Sequence, residues 1–305
     1  MSLPAGARRV REAFARAADA DRRALVTYLM AGYPDETTAL EAADAALFAG
    51  ADLLEIGVPF SDPVADGPVI AAAGHMAVAS GAGMDTVVRT VRALGERGHA
   101  QPILAMGYLN PLVARGTART MAQLRTAGVD ALIVPDLPAG EDDHVERLAA
   151  DAGLGIAFLV TPNTSDERLE RAIRASTAFL YVVPLYGVTG VRERVAATTR
   201  PLLERIRSTV AGRLPVAVGF GVSSPDHVRQ LAPAVDGIIV GSAIVAALGD
   251  GGPRRVGRLV ASLAVATEWP AGTTERRVVP PRIRRPAATP PAAGQRPVGS
   301  SGRRR

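Results

Sequence analysis

Residues 53–67 read Leu53-Leu54-Glu55-Ile56-Gly57-Val58-Pro59-Phe60-Ser61-Asp62-Pro63-Val64-Ala65-Asp66-Gly67. Leu53 to Ile56 is a short apolar run that carries one carboxylate, Glu55. The loop behind it is rich in proline and glycine and brings two more carboxylates, Asp62 and Asp66. A Glu near the end of a strand that reads as buried is costly unless it is paired or used. Glu55 therefore reads either as an acid/base group, its pKa raised by Leu54 and Ile56, or as a buried Glu satisfied by backbone amides or Arg.

Working outward from this run, β-rich segments recur at Leu25–Met30, Ile103–Met106, Ala131–Val134, Ile156–Val160, Phe179–Val183, Val216–Val218 and Gly237–Val240, eight in all. Amphipathic helical patterns separate them, among them Thr38–Phe48, Met84–Glu96, Ala118–Thr126, Glu167–Arg174 and Ala197–Thr209. Strand–helix alternation implies parallel strands with helical crossovers. Eight repeats over some 240 residues fit a closed α/β (β/α)8 TIM barrel better than an open sheet. An extra N-terminal helix, Val10–Ala18, is placed to cap the barrel floor. The barrel is expected to take up residues 1–270. Residues 271–305 hold six Pro and nine Arg without helical or strand period, so a disordered C-terminal tail is expected.

The bulk numbers exclude several functions. The chain has 305 residues, 48% of them hydrophobic, ample for a large core. Its formal charge of +5 belongs to the tail, which carries +8 and leaves −3 for residues 1–270, so nucleic-acid binding is not expected. There is no cysteine and no lysine; without a Lys amine, Schiff-base chemistry on a carbonyl is excluded. His75, His99, His144 and His227 fit no metal-ligand spacing. No apolar run reaches the roughly 20 residues a membrane span needs, and a cytoplasmic location is the expectation.

In this fold the active site lies at the C-terminal ends of the strands. Three glycine-bearing loops fall there: Gly187–Gly190, Gly219-Phe220-Gly221, and Gly241-Ser242 at the start of a short helix, Ala243–Leu248. Such loops let backbone N–H groups approach an anion, and a helix start adds a favourable dipole. They point to a phosphorylated ligand. Tyr108, Tyr181 and Phe220 fall at or near strand ends, where they either wall a pocket for a flat apolar group or simply pack. Asp66 reads either as an N-cap for the helix that follows or as a second site carboxylate. The remaining inventory of carboxylates, tyrosines and backbone amides suits proton-transfer catalysis.

The segment 54–68 closely resembles the signature of tryptophan synthase alpha chains. Ala31-Gly32-Tyr33-Pro34, Tyr108-Leu109-Asn110-Pro111, Pro135-Asp136-Leu137-Pro138, Gly187-Val188-Thr189-Gly190, Gly219-Phe220-Gly221-Val222-Ser223 and Gly241-Ser242-Ala243 match as well, so the resemblance spans about residues 8–268. It implies a lyase that cleaves indole-3-glycerol phosphate to indole and glyceraldehyde 3-phosphate. Glu55 resembles the acid/base acting on ring carbon C3, Asp66 the carboxylate that holds the indole N–H, and Tyr181 the active-site tyrosine. Gly190, Gly219, Gly221, Gly241 and Ser242 resemble the phosphate-binding positions. Tyr28, Ile70, Tyr108, Phe220 and Thr189 resemble the substrate pocket, with Thr189 on the mobile sixth loop. The resemblance also implies no cofactor in this chain and a pyridoxal-phosphate beta chain as partner in an α2β2 heterotetramer. A stand-alone lyase, and an idle subunit that activates the beta chain, are the alternatives. One departure stands out: Pro184 occupies the position where the family usually has Ser. Proline fixes φ and removes an N–H, so altered closure of the sixth loop, or an active loop pre-set by the ring, is expected.

Overall fold

A computed structural model describes residues 2–184, 199–219 and 221–268. Nine parallel strands alternate with helices along the chain. They are β1 Ala24–Met30, β2 Leu53–Gly57, β3 Ile103–Met106, β4 Val129–Ile133, β5 Gly155–Ala157, β6 Leu159–Val160, β7 Leu180–Val182, β8 Val216–Val218 and β9 Gly237–Val240. The helices are α1 Ala5–Asp19, α2 Glu36–Phe48, α3 Pro68–Ala79, α4 Met84–Glu96, α5 Leu109–Val113, α6 Thr117–Ala127, α7 Asp143–Asp151, α8 Asp166–Ala175, α9 Thr199–Val210, α10 Pro225–Leu231 and α11 Ser242–Ala266.

The strand order is β5-β4-β3-β2-β1-β9-β8-β7-β6. β5 and β6 are halves of the one apolar run expected at Ile156–Val160. They are split at Phe158 because the first half pairs with β4 and the second with β7. That change of partner closes the ring, and the expected (β/α)8 barrel is the observed fold.

Side chains along each strand alternate between two cores, as the two-residue period requires. Val26, Tyr28 and Met30 of β1, Leu53 of β2 and Leu104 of β3 fill the barrel interior. Leu25, Leu29, Leu54 and Ile56 face the surrounding helices. Glu55 and Gly57 continue the inward series of Leu53, so the strand period itself turns Glu55 into the barrel.

The two ends of the barrel are built differently. α1 closes the floor: its Phe14 ring lies 5.4 Å from Phe179. Gly237 must be glycine there, because a Cβ would stand 2.5 Å from the Phe14 ring. Three carboxylates at this end, Asp52, Asp236 and Asp130, are partnered. Asp52 is held by Arg22 and accepts the Leu25 N–H, and Asp236 accepts the Val216 N–H at 2.9 Å. Asp130, wholly buried, pairs with Arg125 at 3.0 Å and Arg9 at 3.6 Å. Such groups serve stability, as the bottom face of this architecture generally does.

α11 joins the two helical patterns expected at 243–248 and 256–266 across a kink. Gly251 and Gly252 leave helical geometry there, Gly252 with φ +66°, and Pro253 follows. No described helix is long and apolar enough to cross a membrane.

Candidate active site

Glu55 lies at the heart of the upper barrel. It is 0% exposed, and among the described residues neither carboxyl oxygen has a hydrogen-bond partner. Burial, reinforced by the nearby charge of Asp66, raises its pKa to about 8. The group is therefore a neutral carboxylic acid at pH 7. Its neutrality answers the cost of burial that its position in an apolar run raised. The reading in which amides or Arg satisfy it does not hold among the described residues.

Asp66 sits half-buried at the end of the loop from β2 to α3. It does not cap α3. Gly67 is the N-cap, Pro68 takes the first helical position, and no side chain caps the start. Burial raises the Asp66 pKa to about 6, opposed by the influence of Tyr108. At pH 7 Asp66 is thus mainly ionised while Glu55 keeps its proton. Two carboxyls whose environments push their titrations apart are the usual mark of an acid paired with an anion.

Three tyrosines surround this pair. Tyr28 on β1 is paired in register with Glu55. Burial raises its pKa well above the usual phenol value, with Asp66 and Glu55 adding to the effect. Its hydroxyl lies over Gly57, where a Cβ would come within 2.0 Å of it. Tyr181 on β7 is buried, and burial followed by the charges of Glu55 and Asp66 raises it likewise. Its hydroxyl stands 2.5 Å from where a Gly219 Cβ would be, so Gly219 is demanded by the tyrosine as much as by any ligand. Tyr108 follows β3 and is the third.

The glycine loops meet the same space. A Cβ on Gly241 would touch Ile70 at 3.4 Å and Tyr28 at 3.5 Å. Tyr28, Ile70 and Gly241 therefore share one wall. Gly241 is the N-cap of α11 and has no side chain to cap it, and Ser242 opens the helix. The start of α11 thus offers backbone N–H groups to an anion. Gly221 has φ +78°, a conformation that only glycine adopts readily. Gly190, Thr189 and Phe220 lie outside the described residues, as does the tail. Pro184 is buried just past β7. Among the described residues no cluster of His, Cys, Asp and Glu could hold a metal ion.

Sequence reasoning placed Tyr108 in the pocket wall but missed its polar contacts. Its hydroxyl accepts the Ala65 N–H at 2.9 Å, and its influence favours the ionised Asp66 carboxylate. Phe60 packs against its ring, with centroids 5.4 Å apart. Asp136, beyond β4, accepts the Leu109 N–H at 2.9 Å and pins the same segment. The motifs at 108–111 and 135–138 were visible in the sequence; which atoms join them was not.

A (β/α)8 barrel that brings a buried acid, a second carboxylate and an uncapped helix start to one mouth has the groups that acid–base chemistry on an anionic ligand would use. The family model described as tryptophan synthase alpha chain matches residues 14–268. The tryptophan synthase alpha chain of Roseiflexus castenholzii is 44% identical over 237 residues, covering 78% of this chain and 90% of that protein. That of Gluconacetobacter diazotrophicus is 44% identical over 262 residues, covering 84% and 95%. Among solved structures, Mycobacterium tuberculosis tryptophan synthase superposes with a TM-score of 0.79 at 34% identity, covering 86% of this chain and 98% of that one. The Legionella pneumophila alpha chain gives a TM-score of 0.79 at 30% identity, covering 87% and 99%. The chain belongs to the tryptophan synthase alpha chain family, and with it to the lyases of tryptophan synthesis.

Proposed function

We propose that this chain cleaves indole-3-glycerol phosphate to indole and glyceraldehyde 3-phosphate by a retro-aldol reaction. One observation carries the reading: Glu55 is wholly buried, with neither carboxyl oxygen partnered among the described residues, and that burial, with Asp66 close by, raises its pKa to about 8. Glu55 gives its proton to ring carbon C3 and becomes a carboxylate. The ring is then an iminium-like cation, and Asp66 accepts a hydrogen bond from its N–H and stabilises the positive charge. The hydroxyl on the side-chain carbon next to the ring returns a proton to Glu55. The carbon–carbon bond breaks, its electron pair restores the indole ring, and the aldehyde leaves. No Schiff base is needed, which suits a chain without lysine. Tyr28, Tyr181 and Ile70 wall the indole site with Tyr108, while Gly219, Gly221, Gly241 and Ser242, with Gly190 and Thr189 of the sixth loop, hold the phosphate end.

The reaction needs no cofactor in this chain. We assign a pyridoxal-phosphate beta chain as partner, in an α2β2 assembly, and a cytoplasmic location. Exposed apolar side chains near the barrel mouth support a docked partner: Val64 is 83% exposed and Val113 41%. A steady-state assay on indole-3-glycerol phosphate, with and without a beta chain, tests the reading. Indole release that rises strongly with the beta chain supports it. High turnover alone marks a stand-alone lyase, the reading Pro184 would favour. No indole in either condition leaves only a subunit that serves its partner and overturns the proposal.

A further inference from the structure

We infer that Tyr108 is a positioning residue for Asp66: its hydroxyl accepts the N–H of the neighbouring Ala65 and its ring packs on Phe60, which fixes the end of the 58–67 loop on the rim of β3. The inference rests on the role proposed above for Asp66.

The geometry is specific to this pair of loops. Gly107 lets them approach, since a Cβ there would stand 2.8 Å from the Val58 side chain. Tyr108 then reaches across a gap of 43 positions in sequence to meet the Ala65 N–H at 2.9 Å. Its ring is buried and packs on Phe60 of the same loop, with centroids 5.4 Å apart. Although Tyr108 is the N-cap of α5, its side chain makes no capping bond, so the hydroxyl is committed to the loop. Asp136 anchors the next N–H, that of Leu109, from a third loop.

The groups facing Asp66 explain why this one hydroxyl matters. Glu55 from β2, Tyr28 from β1 and Tyr181 from β7 all sense its charge, and Asp136 acts on Tyr108 from beyond β4. None of them is cationic, and no salt bridge to Asp66 is formed among the described residues. Burial favours its neutral form, and Tyr108 is the opposing influence. A phenol hydroxyl beside a carboxylate favours its charge. Tyr108 therefore keeps Asp66 ionised as well as aimed.

The test is Tyr108→Phe in the full chain, read by carboxyl carbon-13 NMR titration of Asp66, its signal assigned by loss in Asp66→Asn. The wild-type midpoint is expected near 6, and the variant's higher by about one pH unit. In steady-state assays with a beta chain, kcat should fall about tenfold with KM changed less than about threefold, the pattern of an interaction made in the transition state. In an Asp66→Asn background the same substitution should change kcat less than about twofold. An unmoved midpoint, or an equal loss of rate in both backgrounds, overturns the inference. A shifted midpoint in a chain that releases no indole leaves it standing and overturns the proposed function instead.

Discussion

Glu55→Gln should inactivate the protein and stabilise it at the same time, and the stabilisation should grow with pH. The ordinary Glu pKa of 4.5 becomes about 8 in the folded chain. The folded pKa is raised, so the stability associated with this group is fully present below about 4.5 and is lost as pH rises towards 8. At pH 7 the folded chain must hold a proton that the unfolded chain has released. That costs about 3 kcal/mol, at about 1.4 kcal/mol per pH unit over the interval from 4.5 to 7. Glutamine is neutral in both states and escapes the cost. Its extra unpartnered amide donors subtract about 1–2 kcal/mol at every pH. The difference between variant and wild type should therefore widen by about 2.5 kcal/mol from pH 5 to pH 7, whatever the amide costs. For a barrel of this size each kcal/mol moves Tm by roughly 2–4 °C. Urea unfolding at pH 5, 7 and 8.5, beside turnover assays, reads both effects. Turnover should fall roughly 10²–10⁴-fold, the usual worth of a positioned acid. A stability difference that stays flat or reverses across this range would mean that Glu55 is ionised and paired in the folded chain, and the mechanism above would fail with it.

Other positions separate the mouth from the floor. Gly219→Ala places a methyl 2.5 Å from the Tyr181 hydroxyl; overpacking of this kind costs about 1–3 kcal/mol, and displacement of the tyrosine should lower kcat/KM in the same assay. Arg125→Ala leaves Asp130, wholly buried, with the more distant Arg9 and the Ile103 N–H. It should destabilise by about 2–4 kcal/mol in urea unfolding while kcat stays within about twofold, because Asp130 lies at the end of the barrel away from Glu55.

The barrel was legible because short continuous apolar runs and amphipathic helices alternate with little interference. Glu55 was legible for a related reason: a lone carboxylate in a buried run has few explanations. Asp66 was ambiguous because Asp before a helix is favoured as a cap whether or not it has other work. The structure resolves it through Pro68, which starts the helix one residue later and leaves Gly67 as cap. The break at Phe158 was not legible, since it arises from ring closure between β4 and β7, contacts far apart in sequence. The partners of Asp52, Asp130 and Asp236 and the contacts at Tyr108 escaped for the same reason. Local pattern carries no record of which distant atom a side chain meets.

The opposed protonation of Glu55 and Asp66 is tested most directly by the pH dependence of kcat/KM for indole-3-glycerol phosphate, which reports the free enzyme's essential acid and base. The profile should be a bell. Activity is lost below about 6 as Asp66 takes up a proton, and above about 8 as Glu55 loses the proton it must donate. A rate that is level from pH 5 to pH 9, or a basic limb that persists in Glu55→Gln, would contradict the account.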